Sequence, residues 1–519
     1  MSKLQSVSRQ RQIVALLLVG FLWFSISSLW ASEVGKKYEM RAVWLTTNYG
    51  LDWPSRPATS VLGERQQQAE LVRMLDQLHK LGINTVFLQV RSRGRVIYPS
   101  KIEPMSGDFV PVSSSYQLSY DPLDFAIKEC HKRGMVVHAW VAVTPMGNDK
   151  QVNSMPSWSF PKKHRNEMAR YKRGWYLDPA KASSTELICS VVKELLDHYA
   201  LAGIHLDYIR YPDRAKQFPD AEEYRKQGGG MSLDEWRREN INRMVRAIYQ
   251  TTKEGHPEVL LSASVIGTYD NVPGLKYSGW TALNEAWQDP VAWCRDSVID
   301  FVVPMMYSRG ERFYPFVKEW QKLLNVPLVV GLAPYMVLER EGNWPKSEVM
   351  NQINYLDSLS NIAGVALFRA EHAISNGIGL ATPLRELWDK RAQLPLDRGV
   401  WMDWLDEQEL QIEGRPNGLH IAWHGSSKGQ LFALYLSHDG EVPHGVEAPY
   451  LVTTKEEATI PWSALKRGQL IGIKVSEYDL STQLEVLPLT GGVYYYKEEE
   501  EAPLPKKRDR REAEKRVSL

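Results

Sequence analysis

Gly203-Ile-His-Leu-Asp-Tyr-Ile-Arg-Tyr-Pro212 is a short β-rich run set between two helical patterns. Before it, residues 184–200 carry Leu187, Val191 and Leu195 at helical spacing and end near Gly203. After it, residues 232–254 open on Ser232-x-x-Glu235, the signature of a capping box. Side chains alternate along a strand, so His205 and Asp207 share one face while Ile204 and Leu206 share the other. Asp207 therefore falls at the carboxyl end of a strand, where Tyr208, Arg210 and Tyr211 open into a loop.

The same unit repeats outward in both directions. β-rich runs stand at 41–46, 84–90, 135–141, 203–207, 259–265, 299–306, 327–332 and 364–369. Helical patterns separate them. Residues 64–81 place Leu71, Leu75, Leu78 and Leu81 on one stripe before Gly82, and residues 122–133 open on Asp121-Pro122 and close at Gly134. Eight strands alternating with helices predict an α/β fold closed as a (β/α)₈ TIM barrel. An open doubly wound sheet is the competitor, but no G-x-G-x-x-G follows the first run, and Gly228-Gly229-Gly230 follows no strand. The connections 142–183 and 208–231 are too long for simple links. Loops after barrel strands build the active-site face, so these two are expected to wall one cleft.

Beyond about residue 395 the pattern changes. Leu419, Ile421 and Trp423 alternate, residues 425–429 read as a turn, and Phe432, Leu434 and Leu436 alternate next. Asp439-Gly440 is a hairpin signal, and residues 470–475 read as another strand. The expected domains are a barrel over 38–394, a small all-β sandwich of fibronectin type III character over 405–490, and a charged, disordered tail over 497–519. At the other end, Lys3, Arg9 and Arg11 precede an apolar stretch, 13–30, followed by Ala31 and Ser32. This reads as a signal peptide over 1–32, which implies export to the periplasm or beyond, with an uncleaved membrane anchor as the alternative.

The net charge of +1 gives no bulk field for nucleic acid. Cys130, Cys189 and Cys294 form no C-x-x-C pair and read as buried unpaired thiols. His131 and His138 do not fit H-E-x-x-H, and neither a G-x-S-x-G nor a phosphate-binding loop occurs, so no metal and no cofactor is expected.

Carboxylates at strand ends point to glycoside hydrolysis, which needs two of them. Asp207 is the first, and Arg210 nearby is expected to hold it ionised. The second is left open among Glu285, flanked by Trp280 and Trp287 after the fifth strand, Glu371 just after the eighth, and Glu103 after the second. Gln89 and Arg91 at the end of strand two, His138 and Trp140 on strand three, Tyr208, Arg210 and Tyr211 after strand four, Tyr307 after strand six and Arg369 at the end of strand eight are candidate sugar-binding positions, as is Glu103.

Ordered motifs carry a family resemblance. Arg41-Ala-Val-Trp44, Gly82-Ile-Asn-Thr-Val-Phe-Leu-Gln-Val90, Tyr98-Pro-Ser100, Asp121-Pro-Leu123, His131-Lys-Arg-Gly134, His138-Ala-Trp140, Leu177-Asp-Pro179, Gly203-Ile-His-Leu-Asp207 and Leu367-Phe-Arg369 resemble the family 10-like glycosyl hydrolases, the DUF187 group. The resemblance spans about residues 40–390. It implies an exported barrel hydrolase of bacterial cell-wall glycan, whose relatives cleave peptidoglycan strands, notably those stripped of peptide. Asp207 matches its family position. The chain departs after strand two, where relatives can carry an acid and Arg93 stands here, and after strand eight, where Ala370 replaces a Glu. The leading expectation is therefore hydrolysis of a glycan by Asp207 with a Glu. A catalytically silent glycan-binding protein is the alternative that Arg93 supports, and a metal-dependent deacetylase is disfavoured for want of a metal triad.

Overall fold

Each of the eight β-rich runs forms a strand: β1 (Met40–Leu45), β2 (Thr85–Ser92), β3 (Val136–Ala142), β4 (Gly203–Asp207), β5 (Leu260–Ile266), β6 (Phe301–Met305), β7 (Leu328–Leu332) and β8 (Ile362–Phe368). The structure is a computed structural model, describing residues 39–275, 279–359, 362–375, 377–388, 410–423, 431–437, 450–465, 470–478 and 485–495. The expected leader, the charged tail and the Asp439-Gly440 turn lie outside these residues.

Every neighbouring pair of these strands runs parallel, and β1 pairs with both β2 and β8, so the sheet closes into a barrel. The connecting helices are α1 (Val61–Lys80), α2 (Pro122–His131), α3 (Ala182–His198), α4 (Leu233–Lys253), α5 (Pro290–Arg295), α6 (Tyr314–Leu323) and α7 (Lys346–Asp357), with α8 (Ala381–Leu387) after β8. Their starts are fixed locally. Asp121 accepts from the backbone N–H groups of Leu123 and Asp124 at the head of α2. Ser232 and Glu235 form the expected reciprocal box at the head of α4. Outward-facing strand residues such as Val43 and Leu206 join Leu75, Val191 and Val245 of the helices in one apolar layer. Cys130 and Cys294 are buried and Cys189 is partly so, all three as free thiols.

The barrel interior is filled rather than open. Trp44, Phe87, Trp140 and Phe301 pack there. At its centre His205 is fully buried and stacked on Phe87 at 4.1 Å. The Trp44 indole Nε1–H donates to His205 Nε2 at 3.1 Å. An indole N–H can only donate, so Nε2 accepts and the neutral ring carries its proton on Nδ1, toward Ser262 Oγ at 2.9 Å. Burial holds the ring neutral, pushing its pKa well below the ordinary value.

His138, expected on the cleft, lies in register with Gly203, the first residue of β4, sealed against Phe87 and Phe301. Burial pushes its pKa down to about 3. A Cβ at position 203 would lie 2.1 Å from His138 Nδ1 and 2.8 Å from the Leu260 carbonyl oxygen. Gly203→Ala should therefore cost about 1–3 kcal/mol, as overpacked cores do. Denaturant titration checks this, and an unchanged midpoint would show that the His138 ring can swing away.

The C-terminal residues form two antiparallel sheets. One contains β9 (Gln411–Arg415), β10 (Gly418–Ala422) and β13 (Glu457–Ile460), the other β12 (Leu451–Thr453), β11 (Leu431–Ser437), β14 (Leu470–Tyr478) and β15 (Glu485–Tyr495), in those orders. Alternate residues of both, among them Leu419, Ile421 and Ile460 from the first and Phe432, Ile471 and Val475 from the second, share one apolar core.

Candidate active site

Asp207 ends β4 with its side chain directed inward and only 6% exposed. Its Oδ2 accepts from Trp140 Nε1 at 3.0 Å and its Oδ1 from the Tyr208 backbone N–H at 2.7 Å. Burial raises its pKa above the ordinary carboxyl value, opposed by the Arg210 charge and by those two hydrogen bonds. The expected pull of Arg210 is present, but desolvation outweighs it.

The next residue takes a left-handed turn, Tyr208 at φ +51°, which swings its ring out to 41% exposure. Arg210 comes back beneath it. Its guanidinium lies 4.5 Å from the Tyr208 ring and 4.7 Å from that of Trp280, and its Nη1 donates to Asp213 at 2.6 Å. Trp280 continues into a cleft of about 860 Å³ whose wall includes Lys172, Asp213, Arg214 and Glu285. The two long connections thus share one cleft as expected. The loop between β5 and α5 supplies its third side.

Across the barrel mouth, the ends of β6, β7 and β8 bring Tyr307, Tyr335 and Phe368 together, with ring centres 5.7–6.1 Å apart. The Tyr307 hydroxyl is buried and has no partner among the described residues. Asp207 contributes to raising its pKa, after burial and Tyr335, so the phenol shares the field of that carboxylate. Sugar rings present apolar faces that stack on such rings, and a spare phenol can bind a hydroxyl.

Other expected site residues serve the scaffold. Arg91 donates from Nε and Nη2 to the two oxygens of Glu103 at 2.7 and 2.6 Å, and from Nη1 to the Val143 carbonyl oxygen at 3.0 Å. Both side chains are essentially inaccessible, at 0% and 1%. The pair ties β2 to the end of β3 and presents neither charge to the cleft. Gln89 Oε1 is taken by Thr46 Oγ1 and the Thr47 N–H. Tyr211 is buried against Phe218 and Trp287. Arg369 pairs with Asp52, whose Oδ2 accepts from the Thr46 N–H and Oδ1 from the Glu371 N–H. Burial pushes Asp52 up to about 6 against these partners. Asp52 was not singled out in the sequence. Its only signal there is a carboxylate in the turn after the first strand, in Leu51-Asp-Trp-Pro54. Arg93 lies 4.2 Å over Tyr49 and donates to Asn48 Oδ1 at 2.6 Å, with Asp108 3.7 Å away.

Residues 39–334 match the family model described as glycosyl hydrolase-like 10. The chain belongs to that family. Over 366 residues it is 32% identical to a protein of Escherichia coli named glycosyl hydrolase DigH, covering 64% of this chain and 83% of that one. Over 416 residues it is 27% identical to glycosyl hydrolase YngK of Bacillus subtilis, covering 76% and 79%. Among solved structures, the PgaB (BpsB) glycoside hydrolase domain of Bordetella bronchiseptica aligns over 67% of this chain and 98% of its own, at 15% identity and a TM-score of 0.49.

Within this glycosyl hydrolase-like 10 barrel, the partners open to Asp207 are the two remaining glutamates. Glu285 stands on the cleft wall, one-third exposed, 3.9 Å from Lys216. Of the two tryptophans that flank it in sequence, Trp280 shares the cleft wall but lies over Arg210, while Trp287 is buried against Tyr211 and donates to Asp234. Glu371 sits in the short helix Ala370–Ile374 at the end of β8, its backbone N–H on Asp52 and its side chain partly exposed.

Proposed function

We propose that this glycoside hydrolase is exported and cuts the glycan strands of bacterial peptidoglycan, including strands free of peptide. Asp207 serves as the proton-bearing acid, and Glu285 as the second carboxylate. The observation that carries the reading is Asp207 itself, an inward carboxyl at the end of β4 with a raised pKa, three residues before the Arg210 that lies against Trp280 of the cleft wall. The family resemblance of the ordered motifs supports the substrate class, and the apolar stretch 13–30 supports export. The division of the C-terminal strands into three and four supports a fibronectin type III-like accessory unit, and Arg93 favours the second reading, a silent glycan binder.

The sign of the pH dependence follows from the acid role. A general acid must hold its proton, so kcat/KM falls as pH rises through the pKa of Asp207. Because that pKa is raised, the alkaline limb should lie above the ordinary carboxyl range. Removing the opposing cation in Arg210→Gln should move the limb further up. Reducing-end release from amidase-stripped strands, followed across pH, checks both. A limb that stays in place or moves down in Arg210→Gln would reject Asp207 as the acid.

A further inference from the structure

The whole chain is nearly neutral, but the connection after β3 is not. Residues 143–183 hold eight lysines and arginines against three acids, a net of +5. They fold as one lobe: a sheet of Pro145–Gly147, Gly174–Leu177 and Met168–Tyr171, with the short helices Asp149–Asn153 and Phe160–Lys163 against it. Two of the cations are neutralised, Arg170 by Asp149 and Lys181 by Glu223. Lys162, Lys163, Lys172 and Arg173 are exposed and make no ion pair among the described residues.

The lobe is continuous with the cleft. Its hairpin tip, Lys172-Arg173, reaches the loop after β4, where Lys172 Nζ donates to the Asp213 carbonyl oxygen at 3.1 Å and Tyr171 Oη to that of Arg214 at 2.6 Å. Lys172 and Arg214 line the same wall as Trp280, which covers Arg210. Lys172 holds φ +52°, a turn conformation that Gly or Asn fills at least cost, yet a cation stands there. On that wall Lys172 and Arg214 alternate with Asp213 and Glu285, and Arg210 is paired with Asp213, so the surplus of positive charge lies on the lobe and its hairpin tip, at the mouth of the cleft. Within the lobe Arg165 lies 4.4 Å over the Trp175 ring, whose Nε1–H donates to Asp149 at 2.7 Å.

We infer that this lobe is a specificity element, which holds a glycan strand by free carboxylates along its length and feeds it into the cleft. The inference rests on the glycan reading above. Charge complementarity selects the ligand, and the continuity with the cleft favours a polysaccharide over a membrane surface or a nucleic acid. The carboxylate source is a sugar acid, either an ether-linked lactyl group or a uronate.

The test uses the full chain carrying Asp207→Asn, so that binding is read without turnover. Its Kd is measured for soluble amidase-stripped peptidoglycan strands and for the same strands with carboxylates converted to methylamides. Each exposed ion pair is worth a factor of a few at most, so four together should favour the carboxylated strand about tenfold at low salt. That preference should collapse to about one in the background Lys162→Gln/Lys163→Gln/Lys172→Gln/Arg173→Gln. A comparable preference for polygalacturonate over its methyl ester, lost in the same background, would support the inference with a uronate as the source. Equal affinity for both strand forms, a preference that survives the four substitutions, or capture of phosphatidylglycerol vesicles in place of strands would overturn it. Wild-type turnover is measured separately. A protein that prefers carboxylated strands but cuts none of them would sink the hydrolytic reading while sustaining this one.

Discussion

Asp207→Asn is expected to lower kcat/KM on a glycan strand by about a thousandfold, the range lost when a positioned acid is removed. The substitution is nearly isosteric. The Asn oxygen can still accept from Trp140 Nε1 or the Tyr208 N–H, which now hold the carboxyl at 3.0 and 2.7 Å. It also removes the cost of burying a carboxyl whose pKa burial has raised, while the new NH₂ faces the other donor and loses that hydrogen bond, so folding stability should stay within about 2 kcal/mol of the wild type. Steady-state kinetics beside a thermal unfolding curve separate the two effects. A variant that unfolds early would make Asp207 a scaffold residue. One that turns over at the wild-type rate would move the chemistry to Glu371 or elsewhere.

Arg91→Ala or Glu103→Ala should each destabilise the barrel by roughly 3–5 kcal/mol, because each leaves the other charge buried and unpaired. The pair is closed on itself at 2.6–2.7 Å and inaccessible to solvent. Replacing both residues together, Arg91→Met with Glu103→Leu, should recover much of the loss, since apolar pairs of similar volume often substitute for buried ion pairs without penalty. Denaturant midpoints measure this directly. If Glu103→Gln left the midpoint unchanged and raised KM, Glu103 would face the substrate after all.

These two residues mark where the sequence is readable and where it is not. The barrel is legible because its signals are local. Strand runs, helical stripes, the Asp121 cap and the Ser232–Glu235 box each lie within one element, and the gaps between them give the loop lengths. Asp207 is legible for the same reason, as the end of one alternating strand. What is hidden is partnership across the fold. Nothing in the sequence ties Asp52 to Arg369, which the closure of β8 onto β1 brings together. Glu103 and Glu285 look alike as acids in loops, yet one is consumed by Arg91 and the other stands open in the cleft. Trp280 and Trp287 flank Glu285 in sequence but turn to different neighbours, one to Arg210 and one to Tyr211. The direction of the Asp207 shift is hidden likewise, since Arg210 is visible in the sequence and the extent of burial is not.

The most direct test of the central claim, that Asp207 drives hydrolysis of a glycosidic bond, is mass spectrometry of the soluble products released from amidase-stripped peptidoglycan by the wild type and by Asp207→Asn. The account predicts saccharides each heavier by one water than the strand segment from which they were cut, from the wild type alone. Water-free anhydro-sugar ends, loss of acetate without chain cleavage, or the same saccharides from Asp207→Asn would contradict it.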